Sequence, residues 1–113
     1  MMRHDIVSRL LEEGAIAVVR MADPDRLLRV VEALRAGGLS AIEITMTTTD
    51  ALRVIERVAT EAPGALVGVG SVLDGETARQ AIEAGARYVV SPILAPDVIT
   101  TAHRYDVPAM PGA

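Results

Sequence analysis

Residues 41–58, AIEITMTTTDALRVIERV, contain two kinds of hydrophobic periodicity in succession. The run from Ala41 to Met46 is apolar, rich in β-branched residues and too short for a helix, so it predicts a β-strand. Apolar residues then recur with the spacing of one helix face, at Ala51, Val54, Ile55 and Val58. Asp50 stands directly before this stripe and predicts the N-cap of the helix. The segment therefore predicts a strand followed by an amphipathic helix, which is the repeating unit of α/β proteins.

The same alternation extends over the rest of the chain. Short apolar runs predict five strands, at residues 16–20, 41–46, 66–70, 88–91 and 107–110. A helix precedes the first strand and others lie between the strands, with start signals at Asp23-Pro24, Asp74 and Pro96 and a stop signal at Gly37-Gly38. This pattern predicts right-handed βαβ crossovers, a parallel sheet and an α/β fold.

Two architectures fit five such units. One is an open sheet of flavodoxin-like type, and the other is the first five strands of a TIM (β/α)8 barrel, which would need roughly 180 to 200 residues for its eight units. A flavodoxin-like sheet should finish with a helix over its fifth strand, whereas this sequence stops at Pro111-Gly112-Ala113. We therefore expect one domain, residues 1–113, that forms the N-terminal part of a barrel with strand order 1-2-3-4-5.

The composition of the 113 residues argues against several classes of function. Half of the residues are apolar, enough for a core, but only Tyr88 and Tyr105 are aromatic. The net charge of -4 without a basic cluster argues against nucleic-acid binding, and no apolar run is long enough to cross a membrane. Cysteine is absent, and His4 and His103 have no partners at ligand spacing. We expect a cytoplasmic protein that uses no metal and no cofactor.

Polar residues gather where the predicted strands end, which is where parallel α/β folds bind ligands. They are Arg20, Glu43, Thr45, Thr47, Ser71 and the Ser91-Pro92 pair. Strand alternation separates Glu43 from Ile42 and Ile44 and puts it on the same face as Thr45 and Thr47. A carboxylate in a buried strand costs several kcal/mol unless it is paired or hydrated. Glu43 is therefore either a catalytic group or a structural partner of a cation such as Arg20.

The Gly68-x-Gly70-Ser71 sequence stands at the end of the third predicted strand, ahead of a predicted helix. Such a segment can approach an anion with its backbone N–H groups, but the third glycine of a dinucleotide fingerprint is missing. We interpret it as a tight turn between the strand and the helix.

Six blocks of the sequence carry a further signal: IAVVR (16–20), EALRAGG (32–38), IEITMTT (42–48), LVGVGSVL (66–73), EAGARYVVSP (83–92) and VPAMPG (107–112). Together and in this order, they resemble the 2-keto-3-deoxy-6-phosphogluconate / 4-hydroxy-2-oxoglutarate aldolases. The resemblance implies a homotrimeric (β/α)8 barrel. It also implies a class I aldolase that cleaves a 2-keto acid to pyruvate and an aldehyde through a lysine Schiff base, without a metal.

The resemblance also implies roles for individual residues. Glu43 matches the family's general acid/base, and Ser71 stands where the family usually has a threonine that donates a hydrogen bond to the pyruvyl carboxylate. Pro92 matches a proline in the pocket wall, and Arg20 matches an arginine found at the end of the first strand in many members. With Thr45 and Thr47, Arg20, Ser71 and Pro92 form the predicted substrate-binding set.

The sequence departs from the family pattern in three places. Thr47 occupies the position where many members have a carboxylate-binding arginine, and Ile93 replaces the glycine that usually follows Ser-Pro. The family's Lys-Phe-Phe-Pro block, which carries the Schiff-base lysine, has no counterpart. All eleven basic residues are arginine, and a guanidinium cannot lose its proton to attack a carbonyl. We therefore expect an incomplete chain that is inactive alone and whose substrate the sequence does not specify.

Two classes of function remain open at this point. The first is the aldolase, and the second is a non-catalytic α/β binding or assembly module that kept the sheet and lost the chemistry. A five-stranded receiver domain is excluded, because it would require an acidic cluster after the first strand and a lysine after the fifth. This sequence has Arg20 and no lysine at those places.

Overall fold

A computed structural model describes all residues from 1 to 113. Its elements are α1 (Arg3–Glu13), β1 (Ala17–Val19), α2 (Pro24–Ala36), β2 (Ala41–Thr45), α3 (Ala51–Glu61), β3 (Leu66–Gly70), α4 (Gly75–Ala84), β4 (Val89–Ser91), α5 (Pro96–Arg104) and β5 (Ala109–Pro111). The predicted alternation is confirmed, although β1 and β5 are shorter than predicted and β5 begins at residue 109 instead of 107. None of the five helices combines the length and the apolar character that crossing a bilayer requires.

The five strands form one parallel sheet in the order β1-β2-β3-β4-β5. This order confirms the barrel prediction and excludes a flavodoxin-like sheet, in which the first strand lies between two others. In the register, Glu43 lies opposite Val18 of β1 and Gly68 of β3, and Thr45 lies opposite Gly70. The middle of β2 is therefore flanked by β1 and by two glycines of β3.

One face of the sheet is covered by helices. Helix α3 packs against β2 and β3, and its apolar stripe is buried, as are Ile42, Ile44, Val67 and Val69 on the strands. Burial of one such aliphatic side chain stabilises the fold by about 1.5 to 3 kcal/mol. The alternation of β2 therefore places two isoleucines in the core and leaves Glu43 on the opposite face.

Helix α1 lies at the amino ends of the strands. Arg9 donates a hydrogen bond of 2.6 Å to the carbonyl oxygen of Gly64, just before β3. Glu13 accepts a hydrogen bond from the backbone N–H of Ser40, just before β2. These two contacts attach α1 at the edge of the sheet opposite the one where the predicted site residues lie.

Side-chain capping was predicted correctly in two of three places. Asp23 caps α2 by accepting from the N–H of Asp25 at 3.1 Å, and Asp74 caps α4 by accepting from the N–H of Thr77 at 2.7 Å. Asp50 occupies the N-cap position of α3, as predicted, and its carbonyl oxygen accepts from the N–H of Val54 at 3.1 Å, but its side chain makes no capping hydrogen bond. Its backbone is left-handed, with φ 54°, whereas an N-cap side chain reaches the helix N–H groups from an extended backbone.

Candidate functional site

The predicted site residues lie at the carboxyl edge of the sheet. Arg20 directly follows β1, Ser71 directly follows β3 and Pro92 directly follows β4, and all three are exposed. Strand alternation predicted Thr47 on the same face of the second strand as Glu43. The strand β2 ends at Thr45, and Thr47 lies two residues further on, in the turn. Because all five strands are parallel, these residues share one edge, as the sequence predicted.

Arg20 and Thr47 line one open cleft at this edge. The cleft has a volume of about 200 Å³ and is lined by Arg20, Met21, Ala22, Thr47, Thr48 and Thr49. The hydroxyl of Thr47 donates to that of Thr45 at 3.3 Å, and the hydroxyls of Thr45 and Thr48 lie 3.0 Å apart. Arg20 forms no ion pair with any carboxylate of the chain. A free guanidinium beside several hydroxyls suits an anionic group of a small molecule.

Glu43 occupies the face of β2 that the helices do not cover. Its carboxylate lies over Gly70, where an added Cβ would come within 2.7 Å of Oε2 and 3.2 Å of Cβ of Val90. Of the two alternatives left open for Glu43, the structural ion pair with Arg20 is not formed. Burial therefore acts on this carboxylate without a cation to offset it, and it raises the pKa of Glu43 above its usual 4.5.

The interpretation of Gly68 and Gly70 as a turn is wrong, because both lie inside β3. A Cβ at Gly68 would overlap the ring of Tyr88, and a Cβ at Gly70 would crowd Glu43. The two glycines therefore make room on one face of the sheet for a large ring and for a carboxylate. The pattern was visible in the sequence as two small residues at alternate positions of one strand, but their partners were not.

Tyr88 is the residue of this region that the sequence analysis missed. Its side chain is fully buried, and its hydroxyl has no hydrogen-bond partner. Burial, and secondarily the charge of Glu43, raises the pKa of Tyr88 far above its usual 10.0. A signal existed: Tyr88 is the one aromatic residue in an otherwise aliphatic strand segment, and Gly68 lies opposite it in the preceding strand.

The structure divides the predicted set into three parts. Arg20 and Thr47 share the cleft, and Thr45 and Ser71 flank Gly70, beside the Glu43 carboxylate. Pro92 stands apart from both, next to Gly112. Its turn is fixed by the buried Ser91, whose hydroxyl donates to the carbonyl oxygen of Ile93 at 3.0 Å.

The two histidines are exposed, as predicted, on α1 and α5. His4 approaches only its neighbour Asp5, at 3.3 Å. No group of three or more His, Asp or Glu side chains has an arrangement that could hold a metal ion.

Comparison with known proteins decides the family. The family model described as KDPG and KHG aldolase matches residues 6–113. The chain belongs to this aldolase family. The predicted resemblance is confirmed. The five parallel strands, with the polar residues at their carboxyl ends, thus correspond to the N-terminal part of a barrel of this family.

Individual members are similar over nearly the whole chain. The 2-dehydro-3-deoxy-phosphogluconate aldolase of Pseudomonas aeruginosa is 40% identical over 97 residues, which cover 86% of this chain and 43% of that protein. The crystal structure of the 2-keto-3-deoxy-6-phosphogluconate aldolase of Zymomonas mobilis ZM4 with 3-phosphoglycerate is 36% identical, with a TM-score of 0.86 over 97% of this chain and 52% of that one. The chain therefore spans about half the length of the relatives that it matches.

A third relative contains covalently bound pyruvate. The KDPG aldolase of Legionella pneumophila, captured with pyruvate as a covalent carbinolamine intermediate, is 28% identical, with a TM-score of 0.79 over 87% of this chain and 48% of that one. The match to these barrels confirms the fold class as an α/β fold whose five strands correspond to part of a TIM barrel.

Proposed function

We propose that the chain supplies the proton-transferring part of the active site of a class I aldolase. The substrate is a 2-keto-3-deoxy sugar acid phosphate or 4-hydroxy-2-oxoglutarate, and the products are pyruvate and an aldehyde. The observation that carries this proposal is the Glu43 carboxylate, which is partly buried at the ligand-binding edge without a cation partner. Because burial raises its pKa above its usual 4.5, the group holds a proton more readily than an exposed carboxylate does and is suited both to give and to take one.

In the proposed reaction, an amine adds to the keto carbonyl of the substrate and forms a carbinolamine, which loses water to give an imine. Glu43 gives the proton with which the carbinolamine hydroxyl leaves as water. Glu43 then takes the proton of the C4 hydroxyl as the C3–C4 bond breaks, which releases the aldehyde and leaves an enamine. Return of that proton to C3 and hydrolysis of the imine release pyruvate and the free amine.

The remaining residues of the predicted set bind the substrate in this proposal. Ser71 donates a hydrogen bond to the pyruvyl carboxylate, and it directly follows Gly70, over which the Glu43 carboxylate lies. Arg20 and Thr47 hold an anionic group in their shared cleft, Thr45 orients the hydroxyls of that cleft, and Pro92 contributes to the pocket wall.

The amine is not a residue of this chain, because residues 1–113 contain no lysine. We propose that it comes from a segment equivalent to the half of the relatives that this chain does not match. We further propose that the complete enzyme is a homotrimer, as the family resemblance implies. Residues 1–113 alone are expected to show no aldolase activity and no borohydride-stable adduct with pyruvate, since the only amine they offer is the N-terminus.

A hybrid barrel tests the proposal. Residues 1–113 are joined to the unmatched half of the Pseudomonas aeruginosa relative, and pyruvate release from 2-keto-3-deoxy-6-phosphogluconate is measured. We expect activity in the hybrid and a loss of about 10²- to 10⁴-fold in Glu43→Gln, the range for removal of a general acid or base. Glu83→Gln, on the exposed side of α4, is the matched control and should retain the rate.

The alternative is a non-catalytic module, which the absence of lysine favours. Under this alternative the hybrid traps no pyruvate with borohydride and Glu43→Gln changes nothing. An active hybrid whose Glu43→Gln variant keeps the full rate would show that Glu43 is structural. Reading the coding DNA beyond codon 113 for a Lys-Phe-Phe-Pro block gives an independent answer.

A further inference from the structure

The buried hydroxyl of Tyr88 has no evident structural reason. The side chain is 0% exposed, and its hydroxyl is the only buried side-chain nitrogen or oxygen atom without a hydrogen-bond partner. Leaving such a group unpaired in the interior destabilises the fold, whereas phenylalanine would fill the same space without this cost. The hydroxyl therefore calls for a partner that is engaged in another state of the site.

The ring of Tyr88, the residue directly before β4, extends across β3 toward β2. A Cβ built at Gly68 would overlap Cε2 and Cζ of the ring, and Cζ is the atom that carries the hydroxyl. Gly68 is the register partner of Glu43. The hydroxyl end of the ring therefore lies on the same face as Glu43 and close to it, which agrees with the direct effect of the Glu43 charge on the pKa of Tyr88.

No other titratable group competes for Glu43 on this face. The neighbours on β1 and β3 are Val18, Gly68 and Gly70, and Val90 is the other β4 residue beside it. Arg20 lies beyond the end of β1 and makes no ion pair with Glu43. When Glu43 is ionised, its carboxylate needs a hydrogen-bond donor. The hydroxyl of Tyr88 is a buried donor that makes no hydrogen bond.

We propose that Tyr88 is a positioning residue for Glu43, whose hydroxyl donates a hydrogen bond to the Glu43 carboxylate when that carboxylate is ionised. No hydrogen bond or ion pair holds the carboxylate over Gly70, so rotation about its side-chain bonds can turn it to the phenol. The pair gives Glu43 one place in each protonation state: over Gly70 when protonated, and on Tyr88 when ionised. Its meaning for catalysis rests on the proposed role of Glu43, but the pairing itself is measurable without any substrate.

The first test is a pH titration of residues 1–113 followed by infrared spectroscopy. This method reports carboxyl ionisation whether the chain is monomeric or associated. The carboxyl band of Glu43 is assigned by its loss in Glu43→Gln. We expect Tyr88→Phe, which keeps the ring, to lower the ionisation constant of Glu43 about tenfold, since a hydrogen bond to the charged form is lost. Tyr105→Phe is the matched control, because Tyr105 is 39% exposed and its hydroxyl lies beside Glu83.

An unchanged or increased ionisation constant of Glu43 in Tyr88→Phe overturns the proposal. A second measurement needs no substitution at Tyr88: with ring-labelled tyrosine, the C–O band of Tyr88 should shift as Glu43 ionises in the parent chain and stay fixed in Glu43→Gln. A band that is insensitive to Glu43 ionisation in the parent also overturns the pairing. An inactive hybrid barrel with a coupled titration would instead contradict the proposed function and leave the pairing intact.

Discussion

The two faces of the sheet differ in how completely they are closed. On the helix-covered face, Ile42 is 0% exposed and Ile44 is 1% exposed. On the other face, Val18 is 58% exposed and Glu43 is partly buried, although Ala41, Thr45 and Tyr88 are buried there. Adjacent residues of one strand, such as Ile42 and Glu43, thus belong to different environments.

The face covered by helices stabilises the fold, whereas the opposite face carries the groups that could take part in chemistry. The closed face contains only aliphatic side chains between the strands and α3, so its contribution is hydrophobic burial. The open face contains the carboxylate, the unpaired phenol and the two glycines that accommodate them. Substitutions on the two faces should therefore have different consequences, which can be measured.

The largest difference in stability is expected between Ile42→Ala and Val18→Ala. Ile42→Ala removes buried methyl groups from the closed face and should lower the free energy of unfolding by about 2 to 5 kcal/mol. Val18 pairs with Glu43 and lies on the other face, so Val18→Ala should change the free energy of unfolding by less than about 0.5 kcal/mol. Urea unfolding of both variants gives the comparison, and equal losses would mean that the open face is closed in solution, for example by self-association.

A smaller loss is expected from Gly68→Ala on the open face. The added methyl group would overlap the fully buried Tyr88 ring, and overpacking of this kind costs about 1 to 3 kcal/mol. Gly37→Ala is the control, because Gly37 has φ -84° and its added Cβ would meet nothing nearer than 3.4 Å. If unfolding experiments show that Gly68→Ala is as stable as the control, the ring of Tyr88 does not cover β3 as described.

The smallest expected effect is a gain in stability from Glu43→Gln. Burial raises the pKa of Glu43 in the folded chain above the usual 4.5, so the unfolded chain releases this proton at a lower pH than the folded chain. The parent therefore loses stability as the pH rises from 4.5 through the raised pKa, and Glu43→Gln does not share this loss.

Unfolding experiments across this range should show Glu43→Gln gaining on the parent with rising pH. Glu32→Gln, on an exposed position of α2, corrects for the removal of one negative charge. A Glu43→Gln variant less stable than the parent at neutral pH would mean that the proposed hydrogen bond from Tyr88 outweighs the cost of burying the charge, and that burial does not dominate the pKa of Glu43.

The closed face could be predicted from the sequence because its signals are local. The stripe of Val54, Ile55 and Val58 and the alternation around Ile42 follow from the periods of the helix and the strand. The alternation also placed Glu43 on the opposite face correctly. The roles assigned to Arg20, Ser71 and Pro92 come from the family resemblance, and they remain predictions.

The misses all depend on contacts between strands or on unusual backbone geometry. Gly68 and Gly70 make room for side chains of β4 and β2, and a sequence pattern does not specify which side chain a glycine faces. Tyr88 was overlooked for the same reason. Asp50 has the composition of an N-cap, but the turn after β2 holds it in a left-handed conformation, which no local pattern predicted.

The strict sequential order of the sheet has a consequence for how the chain is made. Each strand pairs only with strands that are its neighbours in the sequence, so every pairing becomes available as soon as the later strand leaves the ribosome. The side-chain hydrogen bonds that attach α1 to the sheet reach Ser40, which directly precedes β2, and Gly64, which lies two residues before β3. We therefore expect α1 through β3 to assemble during translation, before β4 brings Tyr88 over Gly68.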